Sequence, residues 1–229
     1  MNFERITGLS VGAAWVMLIA FSLPGLAAAE DAAALSAPQK VIQETSDQLQ
    51  KSMQRPEIKN DFAKATALVD SIIDPHIDFD RVSIMVLGKY YKSATPDQRE
   101  RFKTEFKRLL VRTYTTAFTE YADWKIRYLP SQSDGGGDKQ LVRTEILQSG
   151  AQPVAVNYRM VNVKGSWKVY DMLIEGISLL QNYRTSFTSQ IAEGGSIDKL
   201  IADIASRNNT AHKEPIPEGG VNPPPAGGS

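Results

Sequence analysis

Residues 167–184 read WKVYDMLIEGISLLQNYR, a stretch in which the spacing of the apolar residues changes at a single glycine. Before Gly176, apolar and polar residues alternate, which is typical of a strand. After it, apolar residues recur three and four positions apart, which is typical of an amphipathic helix. Gly176 itself allows the sharp backbone turn that joins the two. The stretch therefore predicts a strand over residues 166–174 that leads directly into a helix over residues 177–193.

Three earlier segments show the same two-residue period, at residues 124–129, 139–147 and 152–163. The connections between the four segments are short and rich in Gly and Ser, which is typical of turns. None of them is long enough to hold the crossover helix that parallel neighbours need. The sequence therefore predicts a four-stranded antiparallel meander.

Helical spacing dominates the chain before the strands. Thr95, Pro96 and Gln98 stand in the order of a capping box with proline at the first helical position, so the longest helix is predicted from residue 95 to about residue 121. Gly88 can supply the C-terminal turn of the helix before it. The other predicted helices cover residues 41–53, 57–74, 79–88 and, after the strands, 196–207. This order predicts an α+β fold, with a helical layer wrapped around a curved four-stranded antiparallel sheet.

The first 29 residues have the layout of a secretory signal peptide: an N-terminal arginine, an apolar run over 11–23 and three alanines at 27–29. Cleavage after the last alanine would place the protein in the periplasm, and an uncleaved N-terminal anchor is the alternative. Residues 30–208 are then predicted to form one domain. Residues 209–229, rich in Pro and Gly, are predicted to be a disordered tail.

Composition argues against several classes of protein. The chain has no cysteine, so it can have neither a disulfide scaffold, nor a thiolate metal site, nor thiol catalysis. Lys and Arg number 26, as do Asp and Glu. This balance argues against nucleic-acid binding, because a sequence-independent binder normally carries a basic excess.

The final strand and helix also resemble a known family. Their pattern, W-x-V-x-D-x-x-I-E-G-I-S-L-x-x-N-Y-R followed by Phe187, is similar to the C-terminal motif of the MlaC-type periplasmic phospholipid-binding proteins, also called the toluene-tolerance family. Earlier segments resemble the family's helical signature: FDR at 79–81, VLGKYY at 86–91 and ATPDQRERF at 94–102. The predicted order of elements is similar to that fold along nearly the whole predicted domain.

The resemblance implies a carrier rather than an enzyme. Family members carry phospholipid between an outer-membrane lipoprotein–porin complex and an inner-membrane ABC transporter complex with a lipid-binding ring component, which maintains outer-membrane lipid asymmetry. The implied ligand is a phospholipid whose acyl chains lie in a deep apolar pocket enclosed by the helices and the sheet. No cofactor and no nucleic-acid partner are implied.

Methionines on two strands suggest which face of the sheet holds the pocket. Met160 and Met172 are placed toward the pocket because methionine adapts its shape to mobile alkyl chains. Strand alternation puts Trp167 and Val169 on the face opposite Met172. An ordinary packed core is the alternative for these apolar residues. With residues of the covering helices, the predicted lipid-binding set is Met85, Phe106, Leu110, Val156, Tyr158, Met160, Met172 and Ile174.

Polar clusters offer weaker candidates for chemistry. Carboxylates surround a histidine at Asp74, His76, Asp78 and Asp80. A metal or acid–base site is one interpretation, but Pro75 breaks the helix there and capping of helix ends is preferred.

A second polar group is interpreted as support for the strand-to-helix junction; it comprises Asp171, Glu175, Asn182, Tyr183 and Arg184. A basic strip on the long helix could face membranes or partners, or simply be a solvated helix face; it comprises Lys103, Lys107, Arg108 and Arg112.

Three other functions compete with phospholipid carriage. The fold could hold a periplasmic enzyme with a cone-shaped α+β cavity for a hydrophobic substrate, although Ser178 has no nucleophile motif around it. It could carry hopanoid-type lipids, or be a lipid-free adaptor between membrane complexes. Organic extraction of the purified protein separates carriers, which should yield about one lipid per chain, from the other two.

Overall fold

The structure is a computed structural model that describes residues 34–120 and 124–210, with side chains at 34–115 and 124–209. The predicted signal peptide lies outside the described residues. So does the predicted tail, apart from Asn209 and Thr210, which belong to the last helix. Within the described ranges, no helix is long and apolar enough to cross a membrane.

Helices come first, a sheet follows, and two helices end the described chain. The helices are α1 (Ala37–Met53), α2 (Pro56–Lys59), α3 (Phe62–Ile73), α4 (Phe79–Leu87), α5 (Lys89–Ser93), α6 (Pro96–Glu120), α7 (Leu179–Ala192) and α8 (Ile197–Thr210), with a 3₁₀ turn at Asp74–His76. The strands are β1 (Lys125–Tyr128), β2 (Gln132–Ser133), β3 (Lys139–Leu147), β4 (Val154–Val163), β5 (Ser166–Ile174) and β6 (Ile177–Ser178).

The sheet is an open, curved antiparallel meander, as predicted. Its strand order is β1-β3-β4-β5-β6, and β2 pairs with β3 beside β1. The four predicted strands are confirmed as β1, β3, β4 and β5. The two-residue strands β2 and β6 are additions that the sequence pattern does not predict, because two residues are too few to show a period.

A bulge in β5 changes which side chains share a face of the sheet. The residue opposite Met160 is Val169, so Tyr170 is left without a partner across the two strands. One unpaired residue reverses the alternation beyond it. Val169 and Trp167 therefore share a face with Met172, and the prediction that they lie on the opposite face was wrong.

The predicted helix over residues 57–74 is divided in two. The Asp61 carboxylate accepts a hydrogen bond from the Lys64 amide at 3.0 Å and caps the start of α3. An aspartate at this position satisfies the first amides of a new helix, which competes with continuation of the previous one. The prediction of a single helix was wrong because the apolar period runs unbroken across this cap.

The junction after β5 also differs from its prediction. Glu175 and Gly176 both have positive φ angles, 49° and 80°, which is the geometry of a two-residue hairpin turn. Ile177 and Ser178 therefore pair back onto β5. Helix α7 starts two residues later than predicted, where the Ser178 hydroxyl accepts from the Gln181 amide at 3.0 Å.

Two predicted helix ends are confirmed. Gly88 ends α4 with φ +54°, a value that side chains with a Cβ rarely adopt. At the start of α6, the Gln98 side chain accepts from the Thr95 amide at 2.9 Å, and the Thr95 hydroxyl accepts from the Gln98 amide at 3.2 Å. This reciprocal pair is the capping box that the sequence indicates.

Buried apolar side chains form three clusters. The main core comprises Val82, Val86, Leu87, Phe102, Phe106, Val161, Tyr170, Leu180, Tyr183, Phe187, Leu200, Ile201 and Ile204. The helical core comprises Leu49, Met53, Ile58, Ala65, Val69, Ile72 and Val111. The inner cluster comprises Ile42, Val142 and Met160, with Val41, Ile126, Tyr128, Tyr158, Trp167 and Val169 packed against it. The sheet thus contributes to the main core from one face and to the inner cluster from the other, which we call the inner face.

Candidate functional site

The inner face gathers most of the predicted lipid-binding residues. Across the strands, Tyr158 lies opposite Met172, and Val156 lies opposite Ile174. Directly opposed residues of an antiparallel pair point to the same side, and Met160 follows two residues after Tyr158 on that side. Five of the eight predicted residues therefore share one surface, formed by two neighbouring strands.

The bulge enlarges this apolar surface. Trp167 and Val169 both pack with Met160 in the inner cluster. In a strand without a bulge, they would point to the opposite face from Met172. Strand β3 contributes Val142, which is fully buried opposite Tyr158. The surface therefore spans three strands and carries aromatic, branched and flexible side chains.

Tyr158 is a partly exposed member of this surface. Desolvation by surrounding protein raises the pKa of its phenol well above the usual range, yet its side chain is only half-buried. The neighbouring Tyr128 is also half-buried, and desolvation raises its pKa to about 12.

Helix α1 runs along β1 and covers part of the inner face. Ile42 packs against Val142 and Met160, both of which are fully buried. The amide of Gln39 donates to the Leu129 carbonyl at 3.0 Å, next to the end of β1. Burial of Ile42, Val142 and Met160 contributes about 1.5–3 kcal/mol each. The contact between α1 and the sheet is therefore stabilised by several kcal/mol.

The second half of α1 is also tied to the sheet. The Gln50 amide donates to the Trp124 carbonyl at 2.8 Å, just before β1 begins. Two amide side chains on one helix thus bind the two ends of the same strand. This arrangement fixes α1 along the sheet at the same time as its apolar side covers the inner cluster.

The three helical members of the predicted set lie elsewhere. Phe106 is 1% exposed and belongs to the main core, where its ring lies 5.5 Å from Phe102 and 5.0 Å from Tyr183. Met85 and Leu110 are partly buried against the same core. The structure therefore brings together the five strand residues and does not bring these three to them.

The acidic residues around His76 serve different neighbours. Asp78 caps α4 by accepting from the Arg81 amide at 3.0 Å, which confirms the capping interpretation for this residue. Asp74 accepts from Lys107 at 2.6 Å and Asp80 from Lys103 at 2.9 Å. Among the side chains at 34–115 and 124–209, no group of three or more His, Cys, Asp or Glu residues is arranged to hold a metal ion.

Those contacts also describe the basic strip of α6. Lys103 and Lys107 each pair with carboxylates from the α3–α4 region, and Arg112 donates to the Asn208 carbonyl of α8. Lys103, Lys107 and Arg112 therefore join α6 to its neighbouring helices.

Asp171 supports the junction between β5 and α7. Its side chain is only 2% exposed and accepts from the Leu180 amide at 3.1 Å, from the Ser178 hydroxyl at 2.7 Å and from Arg159 at 3.2 Å. The Met172 amide is a fourth donor at 2.9 Å, and a buried carboxylate with four donors is a strong structural anchor. These bonds agree with the interpretation of the junction residues as support.

A surface depression beside α7 is unlike the inner face. Its lining comprises Lys89, Arg184, Thr188, Ser189 and Ala192. Charged and hydroxyl groups would be desolvated by alkyl chains without compensation. The lining therefore does not suit an apolar ligand.

Comparison with known proteins places this fold and surface in context. The family model described as MlaC protein matches residues 43–206, which is more than half of the chain. The chain belongs to the MlaC family. The match spans every helix and strand described above except the beginning of α1 and the end of α8.

Individual members of the MlaC family show the same relationship. The chain is 30% identical over 195 residues to the intermembrane phospholipid transport system binding protein MlaC of Haemophilus influenzae, covering 83% of this chain and 91% of the relative. It is 27% identical over 208 residues to toluene tolerance protein ttg2D of Pseudomonas putida, covering 87% and 93%.

A solved structure shows similarity in three dimensions. The phospholipid-binding protein of Ralstonia solanacearum, determined in complex with a phospholipid, matches with a TM-score of 0.70 at 28% identity. The match covers 76% of this MlaC-family chain and 98% of the solved chain. That structure confirms the predicted α+β fold.

Proposed function

We propose that this chain binds one phospholipid with its acyl chains over the inner face and its headgroup toward solvent. The observation that carries the proposal is the apolar surface of the inner face, on which Tyr158 and Met172 remain partly exposed. Membership of the MlaC family and similarity to a protein solved with a phospholipid support it.

Apolar lining is the main requirement for this function. Each methylene kept out of water is worth about 0.8 kcal/mol, so a lipid with tens of methylenes crosses an aqueous space only inside an equally apolar cavity. Flexible Met172 and the half-buried ring of Tyr158 offer surface that adapts to chains of varied shape. No covalent step and no cofactor are needed.

The proposed route of the lipid is across the periplasm. We infer that the chain receives phospholipid at one membrane and delivers it at the other, between an outer-membrane lipoprotein–porin complex and an inner-membrane ABC transporter complex with its lipid-binding ring. This exchange would maintain outer-membrane lipid asymmetry. Support comes from the name of the Haemophilus influenzae relative, a binding protein of an intermembrane phospholipid transport system.

A non-enzymatic role fits the side chains that could otherwise act as nucleophiles. Ser178 donates to Asp171 and caps α7, so its hydroxyl is engaged in the fold. The carboxylate that this hydroxyl contacts also accepts from the Leu180 amide and from Arg159, so it is part of the β5–α7 junction.

The experiment compares two methionines that are both half-buried. Native mass spectrometry and organic extraction of the wild type should show about one phospholipid per chain. Met172→Glu should remove this lipid, because an unpaired carboxylate in an apolar cavity costs several kcal/mol. Met85→Glu should lower stability through the main core and retain lipid in the folded fraction.

Three outcomes would contradict the proposal. A wild type without lipid would remove its basis. Lipid retained by Met172→Glu would place the ligand away from the inner face. Loss of lipid from folded Met85→Glu alone would move the cavity to the main core.

A further inference from the structure

Three large apolar side chains are exposed among the residues that the structure describes. They are Ile84 on α4 (46% exposed), Val154 on β4 (37%) and Ile177 on β6 (52%). Single exposed apolar residues are common and need no explanation. The positions of Val154 and Ile177, however, are related through the sheet.

Both residues lie on the inner face at the same end of the sheet. Val154 is opposite Ile146, which is opposite Ile126 on β1. Ile177 is opposite Ile174 across the tight turn that joins β5 and β6. The two exposed side chains therefore belong to the last two cross-strand rows of the same apolar surface.

The exposed fraction is greatest at that end, although it does not rise evenly, because Tyr158 in the middle of the strand is partly exposed. Along β4, Met160 is fully buried, Val156 is 8% exposed and Val154 is 37% exposed. We call Met160, Tyr158, Val156 and Val154 the apolar strip. It extends about 20 Å at roughly 3.3 Å per residue, enough for the acyl chains of one bilayer leaflet, whose hydrocarbon depth is about 15 Å.

The opposite end of the strip is closed. Ile42 of α1 packs on Met160 and Val142, and the Gln39 amide binds the Leu129 carbonyl nearby. An alkyl chain lying on the strip therefore meets Ile42 of α1 at the Met160 end and exposed apolar side chains at the Val154 end. The Gln50 end of α1 is held beside β1, at the edge of the sheet.

The exposed end is also held in a fixed geometry. The Ala155 amide donates to the Glu175 side chain, and the Glu175 amide donates to the Ala155 carbonyl at 2.9 Å. These bonds tie the β5–β6 turn to β4. Ile177 follows this turn directly, so its position is fixed relative to the end of β4 that carries Val154.

We propose that Val154 and Ile177 form the lip through which a lipid enters and leaves. The inference rests on the proposed function and adds the path that the lipid takes. The acyl chains move along the strip past Val154 and Ile177, and the headgroup stays outside this end. The occupant of the exposed surface is the lipid itself during transfer, because the lip is continuous with the surface that holds the acyl chains.

The test measures the rate of lipid transfer in variants of exposed residues. Protein loaded with fluorescent phosphatidylethanolamine is mixed with vesicles of phosphatidylethanolamine and phosphatidylglycerol. Val154→Asp and Ile177→Asp should slow transfer by about tenfold, which corresponds to losing one to two methylene contacts during passage. Ile84→Asp is the matched control, exposed to a similar degree but on a helix of the main core, and should transfer at the wild-type rate.

Lipid content separates the lip from the cavity. Native mass spectrometry should show lipid bound as in the wild type for Ile177→Asp and Ile84→Asp, which lie outside the apolar strip. Val154→Asp should bind less lipid, because Val154 also belongs to the strip. A wild type without lipid would overturn the proposed function and the lip with it. Lipid-loaded variants that all transfer at the wild-type rate would overturn the lip alone, as would an equal slowing by Ile84→Asp.

A second measurement locates the headgroup directly. Because the native chain has no cysteine, a nitroxide can be attached at Ile177→Cys or, as control, at Ile84→Cys. The ³¹P resonance of bound phospholipid should broaden with the label at 177 and stay sharp with the label at 84. The reverse pattern would place the headgroup at another end of the molecule and overturn the lip.

Discussion

At the scale of single residues, buried tyrosines connect the packing of this protein to its behaviour in alkali. Tyr183 is 5% exposed in the main core, within 5.0 Å of Phe106 and 5.5 Å of Phe187 between ring centroids. Burial raises the pKa of Tyr183 to about 12. In the folded protein the phenolate therefore forms only at a higher pH than in the unfolded chain, whose tyrosines ionise near pH 10.

Stability should therefore fall as pH rises through this window. Between about pH 10 and 12 the unfolded state binds fewer protons than the folded state, so the contribution of Tyr183 is complete below pH 10 and is lost as pH approaches 12. A shift of this size corresponds to roughly 2–3 kcal/mol. Tyr183→Phe should make the free energy of unfolding, measured by urea denaturation, less dependent on pH in that range. Identical slopes for the two proteins would show that the phenol ionises without a penalty.

At the scale of elements, the junction between α4 and α5 depends on one glycine. Gly88 has φ +54°, and a Cβ built on it would lie 3.1 Å from Nε of Arg184 on α7. Both the backbone conformation and the close approach of a side chain therefore disfavour a larger residue.

Gly88→Ala should destabilise the protein by about 1–3 kcal/mol, the usual cost of a strained backbone conformation. Gly137→Ala is a suitable control, since a Cβ there would meet nothing within 4 Å. Adding Arg184→Ala should relieve the steric part and leave the backbone part. Thermal unfolding of the four proteins would check this, and equal stability of Gly88→Ala and wild type would contradict it.

Sequence patterns predicted whole elements well and the details of their junctions poorly. The strand order, the start of α6 and the end at Gly88 follow from local chemistry that the sequence displays. The bulge at Tyr170 was not predicted, because only pairing with β4 identifies the extra residue. The adjacent apolar residues Val169 and Tyr170, which interrupt the alternation, are the signal that could have indicated it. Ser178 and Gln181 do carry a helix-start signal, which could have placed the beginning of α7 correctly.

The same limit applies to the candidate site. Helical spacing shows that Phe106 and Leu110 are on the buried side of α6, but it does not show which apolar cluster they join. Helix α6 contributes Phe106 to the main core and Val111 to the helical core. Strand residues were easier to group, since pairing of neighbouring strands fixes which of them share a face. Five strand residues consequently lie together, and the three helical ones do not join them.

At the scale of the whole domain, the sheet separates two apolar regions with different properties. The main core is closely packed, with Phe102, Phe106 and Phe187 at most 1% exposed. The inner face includes half-buried Tyr158 and Met172. Packing of the first region stabilises the fold, and the accessible surface of the second is available to a ligand. In the account proposed here, stability and lipid binding thus depend on opposite faces of one sheet.

Methionine methyl groups sample both regions and provide the most direct test. Residues 34–210 contain four of the six methionines, Met53, Met85, Met160 and Met172. In protein labelled at these methyls and loaded with phospholipid, NMR should detect nuclear Overhauser contacts from the acyl chains to Met172 on the inner face and none to Met85 in the main core. Acyl-chain contacts to Met85 without contacts to Met172 would contradict the central claim, because the lipid would then lie away from the inner face.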